Sequence, residues 1–180
     1  SCEIVAGGHL DSVPEGPGAN DNASGTAVVL EIARVRAAEG ALEGVCYVLF
    51  GAEELGLLGS AYYVDTLPAG ALERLTAMLN FDMLSVGDGW PFVGDRLLTD
   101  LVKAEAAEAG VEARVLNELP ENVGSDHFNF ARNDVPSIIF NCFCDENYHT
   151  KDDRFEFVRK DRLGVAAAIG AGVIEALLAD

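Results

Sequence analysis

Val45-Cys46-Tyr47-Val48-Leu49-Phe50-Gly51 is a stretch of seven residues without a charge, and it runs almost directly into Glu53-Glu54. A run this short, rich in β-branched and aromatic residues and closed by glycine, reads as a strand. It shows no polar alternation, so both its faces need cover, as in a strand sandwiched between two helix layers. Runs of the same kind recur at residues 4–8, 77–82, 111–116 and 136–141, with a shorter one near 91–94. Between them, apolar residues spaced by three and four predict helices over 24–39, 55–64, 96–109, 125–131 and 161–178. In the first of these, Val28, Val29, Ile32, Ala33 and Val35 make a helix that packs on a sheet. Strands alternating with such helices imply an α/β fold with a mainly parallel, mixed central sheet and helices on both faces. The length, 180 residues, suits one domain over 1–180.

Acidic side chains outnumber basic ones by 30 to 12, a formal net charge of −18. Phosphate binding needs a basic face, so nucleic acid is excluded as a partner and an anionic membrane surface is disfavoured. No apolar run is expected to cross a bilayer, and the N-terminus lacks the basic, apolar and small-residue order of a signal peptide. The four cysteines are too few for a disulfide scaffold, and Cys46, inside an apolar run, reads as a buried thiol. Cys142 and Cys144 read either as free thiols at a strand end or as a soft metal pair.

In open α/β sheets ligands bind beyond the carboxyl ends of the strands. His9 and Asp11 follow the first run, Glu53 and Glu54 follow the run quoted above, Asp82 ends the third, and His149 lies in the loop after the last. Asp21 sits in Gly18-Ala19-Asn20-Asp21-Asn22-Ala23-Ser24-Gly25, just before a helix. Singly, these residues admit ordinary readings: an incidental His-x-Asp, a solvated acidic pair at a helix start, a helix cap, a hydrogen-bonded carboxylate. Together they gather at one sheet edge, where their mutual repulsion raises the cost of ionisation and metal cations remove it. Imidazole and carboxylate without thiolate suit zinc, with cobalt or manganese as substitutes. Two histidines and three carboxylates make two sites if one carboxylate bridges, with positions left for water or substrate.

The order His9-x-Asp11-Ser12, Gly18–Gly25 as quoted, Glu53-Glu54-x-Gly56-x-x-Gly59-Ser60, Asn80-x-Asp82-Met83 and His149-Thr150-x-x-Asp153 resembles the M28 family of zinc peptidases. The resemblance implies two zinc ions bridged by Asp21, with His9 and Asp82 completing one site and Glu54 and His149 the other. It implies Glu53 as general base toward a hydroxide bridging the metals, and Asp11 as the partner that orients His9 through its other ring nitrogen. Tyr148 resembles a residue that helps stabilise the oxyanion; a packing tyrosine is the alternative. His127, in Ser125-Asp126-His127-x-x-Phe130, reads as a core or supporting histidine after a Ser125 helix cap, against direct substrate contact. Family members carry more chain before the first ligand strand than the eight residues that precede His9, so the resemblance implies a minimal or N-terminally truncated domain. It also leans to a secreted or periplasmic protein.

The activity implied is removal of N-terminal residues from peptides with a free α-amino group. A carboxypeptidase or deacylase on the same scaffold would need a basic clamp, for which Arg132, Arg154 and Arg159 are the candidates. A single-zinc glutaminyl cyclase is disfavoured by the intact ligand set, and a non-catalytic binding module of this fold would have lost ligands or base. Oligomeric state and residue preference are not legible in the sequence.

Overall fold

Ile4 and Ala6 point to one side of the first strand and Val5 to the other, and the two sides are buried in two separate apolar clusters. That double burial is what the unalternating strand runs require, and it sets the whole architecture in this computed structural model, which describes residues 2–41, 43–119 and 124–179. Six strands, β1 (Cys2–His9), β2 (Gly44–Phe50), β3 (Ala77–Phe81), β4 (Pro91–Gly94), β5 (Arg114–Val115) and β6 (Ser137–Phe140), form one sheet in the order β2-β1-β3-β6-β4-β5. All neighbouring pairs are parallel except β4 with β6, so the sheet is mixed and mainly parallel, as expected. Helices α1 (Ala23–Ala38), α3 (Arg96–Glu108) and α5 (Lys160–Ala179) pack on one face, where Val28, Ile32, Leu79, Phe81, Ile138, Ile169 and Val173 share the larger cluster. Helices α2 (Leu58–Thr66) and α4 (His127–Ala131) cover the other face over Val5, Phe50, Met78 and Phe130.

Four sequence expectations need correction. The second helix starts at Leu58 and not at residue 55, because Gly56 and Leu57 adopt left-handed backbone angles (φ 101° and 61°) that no α-helix accommodates. Cys46 is not a free thiol but is disulfide-bonded to Cys2, across the parallel pair β1 and β2, with Cα atoms 5.5 Å apart. Lys160–Ala179 is long and apolar enough by length and composition to cross a bilayer, contrary to the expectation. Its Ala166, Ile169, Gly170, Val173 and Ile174 are instead buried in the core, and the helix packs on α1 and α3. The fifth strand also shrinks to Arg114–Val115, pairing only with Pro91 and Phe92 at the sheet edge.

Candidate metal centre

The carboxyl ends of β1, β2 and β3 lie side by side, with His9 in register with Phe50 and Gly7 with Asn80. The segments that follow these strands therefore open onto one cleft of about 650 Å³. His9 and Asp82 enter it from β1 and β3, Glu53 and Glu54 from the turn after β2, and Asp21 from the loop before α1. His149 arrives on the long loop after β6, in a left-handed conformation (φ 57°), next to Asp21 and Glu54.

The distances order these groups around Asp21. His9 Nε2 is 3.1 Å from Asp21 Oδ1, and His149 Nε2 is 3.2 Å from Asp21 Oδ2, so each oxygen faces a different imidazole. His9 Nε2 also lies 3.5 Å from Asp82 Oδ1, and His149 Nε2 lies 3.0 Å from Glu54 Oε2. Candidate ligand atoms of His9, Asp21 and Asp82 lie within 4.8 Å of one another, as do those of Asp21, Glu54 and His149. Asp21 belongs to both groups.

Burial makes this gathering of charge expensive. Burial would lower the pKa of His9, but the Asp21 and Asp82 carboxylates beside it outweigh that and push it up to about 12. Burial pushes Glu53 up to about 8, with the neighbouring carboxylates adding to the rise. Asp21 and Glu54 are raised by burial as well. Glu54 Oε1 is buried with no hydrogen-bond partner among the described residues. An acidic cluster with a buried oxygen left without a partner is complementary to a divalent cation, and the imidazole–carboxylate donor set fits zinc. Glu53 lies in the same cleft and within 4.8 Å of His9 and Glu54.

Supporting contacts hold these side chains in place. His9 Nδ1 donates to the backbone carbonyl of Asp11 at 3.1 Å, whereas the Asp11 carboxylate lies 3.6 Å away. That carboxylate instead accepts the N–H groups of Glu53 (3.1 Å) and Glu54 (3.3 Å), so one residue orients both a ring and a turn. Tyr148 lines the cleft and stacks on His149, with ring centroids 3.7 Å apart; burial and the surrounding carboxylates raise its phenol. Asn22, not Asp21, caps α1, accepting Gly25 N–H at 2.8 Å, and its amide also donates to Phe81 O at 2.9 Å.

Several partners have roles that the sequence reading did not assign. Asp153 accepts the N–H groups of Asn20 (2.7 Å) and Asp21 (3.0 Å), locking the Asp21 loop onto the loop that carries His149. Asn20 in turn accepts from Ser85 N–H and hydroxyl and donates to Asp145. Asp153 and Asn20 stand in the quoted motifs, so their signal was present without a partner to attach it to. Ser125 does not cap α4; its hydroxyl accepts from Asn80 Nδ2 at 2.7 Å. His127 is buried outside the cleft beside Phe128, with centroids 4.6 Å apart. Cys142 is a buried thiol and Cys144 an exposed one at the cleft wall, where no third candidate ligand groups with them among the described residues. Arg132, Arg154 and Arg159 lie outside the lining; Arg159 is paired with Asp88 and Asp161, and Arg154 with Asp152.

The chain is similar to known proteins in sequence and in fold. Aminopeptidase YwaD of Bacillus subtilis is 36% identical over 94% of this chain, and the probable lipoprotein aminopeptidase LpqL of Mycobacterium tuberculosis is 32% identical over 97%. The matches cover 40% and 42% of those proteins, so the chain spans less than half the length of these relatives. The structure of BSAP, a zinc aminopeptidase from Bacillus subtilis, aligns with a TM-score of 0.88 at 31% identity, over 98% of this chain and 46% of that one. Residues 1–174 match the family model for Peptidase family M28, and the chain belongs to that family.

Proposed function

We propose that this chain is the catalytic domain of a two-zinc aminopeptidase. The observation that carries the reading is the placement of His9 and His149 on opposite oxygens of Asp21, each with its own further carboxylate, Asp82 or Glu54. His9, Asp21 and Asp82 would hold one zinc, and Asp21, Glu54 and His149 the other, with cobalt or manganese as substitutes. Bound zinc supplies Lewis-acid polarisation and lowers the pKa of water. Glu53, beside His9 and Glu54 but outside the two ligand sets, takes a proton from the attacking water and hands it to the leaving amine. Burial, more than the neighbouring carboxylates, raises its pKa, and divalent cations held beside it would favour its ionised form. Asp11 fixes the backbone under Glu53, and the Tyr148 phenol, kept protonated by its surroundings, is a donor for the developing oxyanion.

The cleft also favours one end of the substrate. No lysine or arginine lines it among the described residues, whereas Asp145 and Glu146 extend its acidic rim. A free α-ammonium is thereby attracted and a free α-carboxylate repelled, which supports peptide substrates with an open N-terminus over the carboxypeptidase or deacylase reading. The Cys2–Cys46 disulfide suits an oxidising compartment, in keeping with an exported protein. Hydrolysis of leucine p-nitroanilide by the zinc-loaded chain, with an N-acetylated control, tests the activity. Cleavage of the free-amine substrate alone, lost on chelation and cut by two or more orders of magnitude in Glu53→Gln, is expected. Equal cleavage of the acetylated control, or full activity in Glu53→Gln, overturns the corresponding assignment.

A further inference from the structure

The turn that carries Glu53 and Glu54 is held in a conformation its own sequence does not favour. Ala52 and Leu57, neither of them glycine, have φ values of 56° and 61°. Such angles persist where the surroundings over-determine them. Inside the turn, Gly56 and Leu57 N–H both donate to Glu53 O at 2.8 Å, and Leu58 N–H donates to Ala52 O at 3.0 Å. Outside it there are two anchors. At one end the Asp11 carboxylate receives the Glu53 and Glu54 N–H groups. At the other, Asn129 Nδ2 in α4 donates to Leu57 O at 3.1 Å and to Ser60 Oγ at 2.9 Å. Because a carbonyl oxygen only accepts, the Leu57 contact fixes which end of the amide points there.

Gly59 and Ser60 explain why this anchor can form. A Cβ on Gly59 would collide with Gly51 O, so only glycine lets the start of α2 close against the end of β2. That closure buries Ser60 fully, and its hydroxyl, 3.2 Å from Leu57 O, becomes the second acceptor for Asn129. From the same segment, Ser125 holds Asn80 two residues before Asp82, and Phe130 packs on Phe50 and Tyr63 at centroid distances of 6.0 and 5.9 Å. The segment 125–130 thus spans from the strand that bears Asp82 to the turn that bears Glu53 and Glu54.

We infer that Asn129 is a positioning residue for Glu53 and Glu54. Its amide clamps the distal end of their turn, opposite Asp11, and so sets where the two carboxylates stand relative to Asp82. Asn129 does not line the cleft and meets neither substrate nor the reacting atoms. The inference rests on the reading of Glu53 as general base and Glu54 as metal ligand.

The test compares wild type, Asn129→Ala and the isosteric Asn129→Asp for kcat and KM on leucine p-nitroanilide, for zinc affinity by chelator competition and for thermal midpoint, with each variant repeated in a Glu53→Gln background. A small displacement of a reacting group costs up to about a hundredfold in rate, so kcat is expected to fall about 10- to 100-fold with KM within about threefold. Zinc held through Glu54 is expected to weaken by about tenfold. In the Glu53→Gln background the added loss is expected to stay below about twofold, because residues acting as a unit are not additive. Unchanged kcat in the folded variants, or the same loss factor in both backgrounds, overturns the inference. If Asn129→Ala does not fold, Asn129→Asp decides. If the zinc-loaded wild type fails to cleave the substrate, the aminopeptidase reading has failed, and zinc affinity alone decides: an undiminished value in both variants overturns the positioning role.

Discussion

His127 is the imidazole that the candidate metal centre leaves out. Its ring is buried, and Nδ1 has no hydrogen-bond partner among the described residues. Burial pulls its pKa from 6.5 down to about 4. A histidine with a depressed folded pKa binds more protons when unfolded, so its neutral form contributes stability above about pH 6.5 that is lost as pH falls toward 4. Between pH 7 and pH 5 the wild type should lose about 2 kcal/mol more than His127→Gln in urea denaturation. An equal loss in both proteins would show that the ring is not held neutral. At this scale the sequence was generous with positions and silent about atoms. It placed His9, Asp11, Asp21, Glu53, Glu54, Asp82 and His149 at one sheet edge, because each follows a recognisable strand or motif. It did not say that the Asp11 carbonyl, and not its carboxylate, would meet His9 Nδ1, since both groups sit on the same residue. Nor did it pair Asp153 with Asn20 and Asp21, a contact across 132 or 133 positions that no local pattern encodes.

Among the elements, α1 shows how tightly a helix start is built into the site. Gly25 stands in its first turn, where an added Cβ would strike Phe81 O and the Asn22 amide. Gly25→Ala should therefore destabilise the fold by about 1–3 kcal/mol, overpacking outweighing the roughly 1 kcal/mol gain in helix propensity. It should also weaken zinc binding, because Asn22, which caps the helix and ties it to β3, adjoins Asp21. Denaturant melts alongside a zinc titration check both effects; a variant as stable as wild type would deny the close approach. The strands were legible because burial on both faces strips them of polar alternation. The start of α2 was not, since its apolar spacing reads on through Leu55, while left-handed angles at Gly56 and Leu57 delay the helix to Leu58. The Cys2–Cys46 bond escaped notice for a different reason. It depends on β1 lying parallel to β2, with Cys2 in register with Gly44, which only the sheet order reveals.

For the molecule as a whole, net charge and the candidate metal centre bear on each other. A chain of formal charge −18 that packs Asp21, Glu53, Glu54 and Asp82 into one cleft bears concentrated self-repulsion at the open edge of its sheet. Metal that binds only the folded form stabilises it by mass action, about 2.7 kcal/mol at a free concentration 100 times the Kd. For a domain of this size that corresponds to roughly 5–10 °C in thermal midpoint. Chelation should lower the melting temperature by about that amount, and zinc should restore it; a midpoint indifferent to both would argue against a metal centre on these residues.

The bond between Asp153 and the Asn20–Asp21 backbone also bears on how the protein is made. Residues that must meet there are 132 and 133 positions apart, and every other candidate ligand lies between them or just outside. On the ribosome, β1, α1 and β2 emerge before Asp153, so Asp21 lacks its lock until the loop that carries Asp153 has been synthesised. Contacts of such long range are slow to close. The acidic groups of the site thus stay unlocked, facing solvent or a chaperone, until that loop emerges. A metal centre on these residues would be completed only after His149 and Asp153 have been made, and products cut short before them would have no place to hold the ion.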